Sequence, residues 1–354
     1  MDAAPTETLP GDADRPAEPA APREPRSLKK RLLFYAKLIV TIGLLVFIFS
    51  KVDWPNFWQQ LLAFDLWVIA AVLVIWAVAL SVSVIKWQQL LLVHGLRYPL
   101  GLLHRWYLIS YFLSQFLPSI VGGDAFRIYK TLQNGKHRAC AVLPVFVERA
   151  SGLSALLALG AVCAALDWSR HGHTVSGWYA VCAAIGGAVG LAGLAVAWWL
   201  RLDRKLIGWR RTPSPIRSLL QHAADYLTHP RECFIAAVIS FAFHSMRVMV
   251  YWLFLFGLDH PLAFSQVAVV AALTTVIGML PISLGGYGLV DGSFVGLFYL
   301  YGVPPELGLT VALMTRVTSL PVAILGGYFY SVEKSDPRQP DRVDVPGGEQ
   351  PTPA

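Results

Sequence analysis

Leu117-Pro118-Ser119-Ile120-Val121-Gly122-Gly123-Asp124 and Leu280-Pro281-Ile282-Ser283-Leu284-Gly285-Gly286-Tyr287 decide how this chain is read. Both run Leu-Pro-x-x-x-Gly-Gly inside apolar surroundings. Arg149 follows the first copy on an apolar stretch, and Arg316 follows the second. Proline and paired glycines interrupt a membrane helix. Interruptions at corresponding places in two halves point to the binding site of a transporter.

The composition agrees. The chain is 55% hydrophobic and 14% charged, where a soluble domain carries about a quarter charged residues. Several runs reach the roughly 20 apolar residues that span a bilayer. Tryptophans such as Trp54, Trp67, Trp168 and Trp178 lie near the ends of those runs, as interfacial belts require. The net charge of +7 fits the positive-inside bias of an inner-membrane protein. No basic cluster interleaved with aromatics marks a nucleic-acid site. Cys140, Cys163, Cys182 and Cys233 lie in or beside apolar runs without a C-x-x-C pair, so neither disulfides nor a cysteine metal site are expected.

Residues 1–26 and 333–354 are polar and proline-rich and are expected to be disordered tails. Between them, residues 27–332 form the membrane domain. Six full spans are expected at 32–50, 66–86, 139–166, 175–200, 232–258 and 306–331. Two further segments, 103–118 and 262–280, run into the Leu-Pro/Gly-Gly motifs and are expected to enter the bilayer and turn back. The repeated units are thus 103–166 and 262–331. The fold class is all-α, polytopic and integral to the membrane. Lys and Arg crowd the stretch before the first span, the stretches after the second and before the third, and the loop 201–231. The alternate loops are poor in both. Both termini are then cytoplasmic. Three full spans separate the two motifs, so they enter from opposite sides and the repeat is inverted.

Charges inside spans cost roughly 2.5–3.5 kcal/mol each to insert and need a reason. They are Lys86, Asp124, Arg127, Glu148, Arg149, Arg247, Asp291 and Arg316. Glu148 and Arg149 are chain neighbours that point in different directions on a helix, so each needs a partner elsewhere. Five bases face three acids. Spare guanidinium suits a phosphate, whose oxygens the planar fork binds in pairs. The glycine turns would add free N–H groups at the next helix start. Blander readings stay open. Lys86 and Arg127 snorkel to the surface, or they belong to the cleft. Glu148 pairs with Arg316 or Arg247 for packing alone, or serves the site. Gly186, Gly187, Gly190 and Gly193 read as close helix packing. His171 and His173 lie in a polar loop and lack a third ligand for a metal.

The succession Leu-Pro-x-x-x-Gly-Gly-Asp-x-x-Arg-x-Tyr (117–129), Val-Glu-Arg (147–149) and Leu-Pro-x-Ser-x-Gly-Gly-x-Gly (280–288) with an acid at 291 resembles the lysylphosphatidylglycerol synthase transmembrane family. The resemblance covers most of residues 30–332. It implies a polytopic domain similar to the flippase half of lysyl-lipid synthases, with lipids as substrate. It also implies that Gly123, Asp124, Arg127, Glu148, Arg149, Gly285, Gly286, Asp291 and Arg316 line the functional cavity. Gly122 and Arg247 join them as motif and intramembrane-charge candidates. Many family members have glutamate where this chain has Asp291, and arginine where it has Lys86. The aminoacyl-transferring domain of the two-domain synthases lies outside this chain, so synthesis of lysyl-lipid is not expected. Lipid translocation without catalysis, cofactor or metal is the first expectation. The alternative is a scaffold for envelope, hopanoid or other lipid-biosynthesis enzymes, with loop 201–231 as its handle. A third reading, an intramembrane transferase, lacks clustered aspartates.

Overall fold

The computed structural model describes residues 64–116, 121–133, 138–199, 213–280 and 287–335, with isolated positions between 39 and 59. The first expected span, most of 51–65, both turn peptides (117–120 and 281–286, hence Gly285 and Gly286), the stretch 201–212 and both tails lie outside the described residues.

Helix is the only regular structure among the described residues. In a bilayer every backbone N–H and C=O must find its partner within the protein, and a helix does this segment by segment. The elements are α1 (Leu66–Leu92), α2 (Leu100–Phe116), α3 (Val121–Leu132), α4 (Arg138–His171), α5 (Thr174–Trp199), α6 (Ser214–Ala223), α7 (Asp225–Thr228), α8 (Pro230–Gly257), α9 (Phe264–Gly278), α10 (Leu289–Tyr299) and α11 (Pro305–Ser335). Four of them, α1, α4, α8 and α11, are long and apolar enough to cross a membrane. The fifth expected span is helical over 26 residues as α5, with side chains described to Val189. Large apolar side chains such as Val74, Phe146, Trp178 and Ile324 are exposed on the outside. In water such a surface would be a liability; in lipid it is the rule. The chain is a multi-pass, all-helical membrane protein.

The segments leading into the motifs are short, 17 residues in α2 and 15 in α9. Each is followed by a shorter helix, 12 residues in α3 and 11 in α10. The members of each pair pack on one another, so the chain reverses between them.

The internal repeat extends well beyond the motifs. α3 ends at Leu132 and α10 at Tyr299, while α4 starts at Arg138 and α11 at Pro305. Each second position lies 167 residues after the first. Packing follows the same duplication, crosswise: α2 of the first half lies on α11 of the second, and α9 lies on α4. Helices α1 and α8, the long helices that open the two halves, pack on each other. Gly160 of α4 and Gly327 of α11 are again 167 apart. A Cβ at Gly160 would meet Ala272 of α9 at 2.7 Å, and one at Gly327 would meet Phe112 of α2 at 2.9 Å. Both crossings depend on a missing side chain. Among the described residues, nothing lies within 4 Å of a Cβ at Gly186 or Gly187; Gly190 and Gly193 have no described surroundings.

One boundary moves, and one face is covered. α11 runs to Ser335, and Glu333 pairs with Lys130 and with Arg105 at 3.8 Å, so the C-terminal tail begins later than 333. Leu219 and Ala223 of the basic segment pack into a cluster with Leu90, Leu143 and Tyr226. This face of α6 is thus covered by the bundle, while Leu227 is exposed.

Gly160→Leu and Gly327→Leu should each destabilise the protein by about 1–3 kcal/mol through overpacking. Thermal unfolding of the detergent-solubilised variants, followed by tryptophan fluorescence, checks this.

Candidate functional site

Helix α3 carries Asp124 and Arg127 one turn apart, and Arg127 is 1% exposed. A guanidinium at that depth must find anionic or aromatic partners, and it finds both. Its Nη1 donates to Glu148 Oε2 at 2.7 Å, and its Nη2 to Asp124 Oδ1 at 2.6 Å. The rings of Trp87 and Tyr107 lie 5.1 and 4.7 Å from it, within cation–π range. Tyr107 OH donates to the other Glu148 oxygen at 3.1 Å. Lys86 Nζ donates to the backbone carbonyl of Glu148 at 2.8 Å and is buried. Neither Lys86 nor Arg127 snorkels to the surface, and Glu148 pairs with Arg127 rather than with Arg247 or Arg316.

The two remaining motif arginines repeat one geometry. Arg149 donates through Nε to Asp124 Oδ2 and through Nη2 to Oδ1, both at 2.9 Å. Arg316 donates through Nε to Asp291 Oδ1 at 2.9 Å and through Nη2 to Oδ2 at 2.7 Å. In each pair the arginine follows its aspartate by 25 residues, and the pairs are 167 apart. Arg149 comes eleven residues after the start of α4 and Arg316 eleven after the start of α11. At 1.5 Å per residue that is about 16 Å along each helix, the same height in both halves. Neither arginine is fully buried: their side chains are 54% and 33% exposed. Tyr287 lies 4.3 Å from the Arg316 guanidinium.

The equivalence fails in one instructive place. Arg127 and Glu148 correspond, at the same 167-residue offset, to Phe294 and Thr315. The first half has a buried ion pair where the second has an aromatic ring and a hydroxyl.

Two cavities adjoin these groups and share the walls Trp76, Tyr111 and Phe243. The first, about 240 Å³, is lined by Arg127, Arg149, Tyr107 and Ser83 among others. The second, about 600 Å³, is lined by Arg247, Arg316, Asp291, Tyr287, Gln115, Phe294 and Thr315 among others. The guanidinium of Arg247 meets Tyr251 OH at 3.2 Å and, among the described residues, no carboxylate. His244, on the same helix, is buried with Nδ1 unpartnered among the described residues.

A family description, Lysylphosphatidylglycerol synthase TM region, matches residues 34–326. The chain belongs to the lysylphosphatidylglycerol synthase TM region family. It is also similar to a UPF0104 membrane protein of Methanothermobacter thermautotrophicus, 31% identical over 126 residues. That match spans 35% of this chain and 37% of the relative, so the chain covers well under two thirds of the relative's length. Within the family's frame, the expected residues divide. Arg127, Arg149, Arg247, Asp291 and Arg316 face the cavities. Asp124 and Glu148 stand behind the arginines as counter-ions. Gly123 serves packing: a Cβ there would lie 2.1 Å from the Ser110 carbonyl oxygen of α2. Gly122 stands beside it in the first turn of α3. Just after the second glycine turn, Gly288 N–H donates to Asp291 Oδ2 at 3.0 Å. Sequence reasoning missed the aromatic partners Trp87, Tyr107 and Tyr287; of these, Tyr287 carries a signal, its place directly after the second Gly-Gly.

Removing one member of a buried ion pair strands the other, at about 3–5 kcal/mol. Arg127→Phe alone should therefore be strongly destabilising. Adding Glu148→Thr installs the second half's own residues and should recover at least half of that loss. A double-mutant cycle on unfolding midpoints reads this out.

Proposed function

We propose that this protein moves a lipid with a phosphate-bearing head group between the leaflets of the inner membrane, with both termini cytoplasmic. The observation that carries the reading is the set of arginines around two adjoining cavities, one of which, Arg247, meets no carboxylate among the described residues. A cationic cavity inside hydrocarbon is costly unless something anionic visits it, and a planar guanidinium fork suits phosphate oxygens. The acyl chains would stay in the bilayer while the head group crosses. In the empty cleft Asp124 and Asp291 hold Arg149 and Arg316. A phosphate competes with those carboxylates, so binding loosens the forks. The duplicated halves, inverted by the count of crossings between them, supply the two opposed openings that alternating access requires. Family membership supports a lipid-handling membrane domain, and no chemistry on the lipid is proposed. The covered face of α6 weighs against the scaffold alternative, since its apolar residues are already used within the bundle.

Proteoliposomes with leaflet-selective fluorescent lipids test the proposal. Exchange of a phosphate-headed lipid should exceed that of a neutral, phosphate-free lipid with the same chains. Arg247→Ala should slow it at least tenfold while the protein elutes as a folded species. Equal exchange of both lipids, or full-rate exchange by the variant, would contradict the phosphate reading.

A further inference from the structure

At the end of α4 away from loop 201–231, the structure supplies what the sequence withheld from His171 and His173, namely a third ligand. Asp167, one helical turn before His171, is fully buried. His171 Nδ1 lies 3.1 Å from its Oδ1, and His173 Nδ1 lies 3.0 Å from its Oδ2. The two imidazoles lie side by side, ring centroids 5.6 Å apart. Gly172 between them brings this about. Its φ of +67°, a conformation natural to glycine, ends the helix and returns the chain so that His173 meets the same carboxylate. We propose that Asp167, His171 and His173 form a binding site for a divalent transition-metal ion of the zinc class.

The donor set and its dimensions fit. Zinc takes histidine nitrogen and carboxylate oxygen at roughly 2.0–2.2 Å, and two ligands of one tetrahedral ion are then roughly 3.3 Å apart. The three donor atoms here lie within 4.8 Å of one another, and each histidine nitrogen lies at about that edge from a different oxygen of the carboxylate, which spans the two imidazoles. The ion takes the Nδ1 lone pairs and leaves each Nε2–H to water. With the two histidine side chains 45% and 36% exposed, an ion can enter and a water can complete its coordination. Outer contacts hold the carboxylate in place, as metal sites require. Ser176 Oγ of α5 donates to Asp167 and lies 2.7 Å from Tyr301 OH, just after α10. Gln266 Nε2 of α9, 3.4 Å from His173 Nδ1, marks α9 as the neighbouring helix and must yield that lone pair to the ion. The ion therefore binds where α4 and α5 of one side of the bundle meet α9 and the α10–α11 connection. All three ligands come from α4 and the turn after it, so the site is distinct from the arginine cleft and independent of the lipid reading.

The test uses the untagged full chain in detergent, stripped with chelator and titrated with zinc chloride by calorimetry. We expect one zinc per chain, raising the unfolding temperature. His171→Gln, which keeps size and polarity, and His173→Ala should each weaken binding at least tenfold while the zinc-free proteins elute as wild type does. His222→Ala with His229→Ala, remote from the cluster, should leave binding unchanged. No saturable uptake by the wild type, equal uptake by the cluster variants, or equal loss in the remote variant would overturn the proposal.

Discussion

An arginine in hydrocarbon cannot give up its charge, so it needs polar partners, and the meeting of the two motif arginines with their carboxylates organises this protein. Each half solves the problem in one way. A short helix starts at a glycine turn and carries an aspartate in its first turn. The chain then reverses, and the next long helix brings back an arginine, eleven residues from its start, to the same depth. The 25-residue spacing of Asp124–Arg149 and Asp291–Arg316 is the length of that path. Moving either residue by one position would rotate its side chain by about 100° around the helix and break the fork.

The halves share the fork but not what stands behind it. In the first, Arg127 and Glu148 fill the space with a buried network that also engages Tyr107, Trp87 and, through a carbonyl, Lys86. In the second, Phe294 and Thr315 occupy those places. Phe294 packs against Tyr251 and Phe298, and both Phe294 and Thr315 line the larger cavity. One half is therefore filled by a polar network, while in the other the equivalent positions line a cavity.

Much of this was legible in the residues themselves. Apolar run length gave the long helices within a few residues, because only helix satisfies the backbone in lipid. The repeated Leu-Pro-x-x-x-Gly-Gly located both turns. Adjacent Glu148 and Arg149 had to find different partners, and they do. Partner identity was not legible: whether Glu148 meets Arg127, Arg247 or Arg316 depends on how helices cross, and a single sequence does not encode that. The 167-residue offset was hidden because Leu-Pro to aspartate is four residues longer in the second copy (117 to 124 against 280 to 291), so aligning the motifs misaligns the charges. Asp167 escaped notice because it stood at the edge of a span, where a carboxylate needs no special reason.

The central claim is that both halves act on one substrate path through matched Asp–Arg forks. It is tested most directly by leaflet exchange of a labelled phosphate-headed lipid in proteoliposomes carrying wild type, Arg149→Ala or Arg316→Ala, each verified as folded by its elution and unfolding profile. The account predicts that either single substitution suppresses exchange by an order of magnitude or more. Wild-type rates in either variant would contradict it.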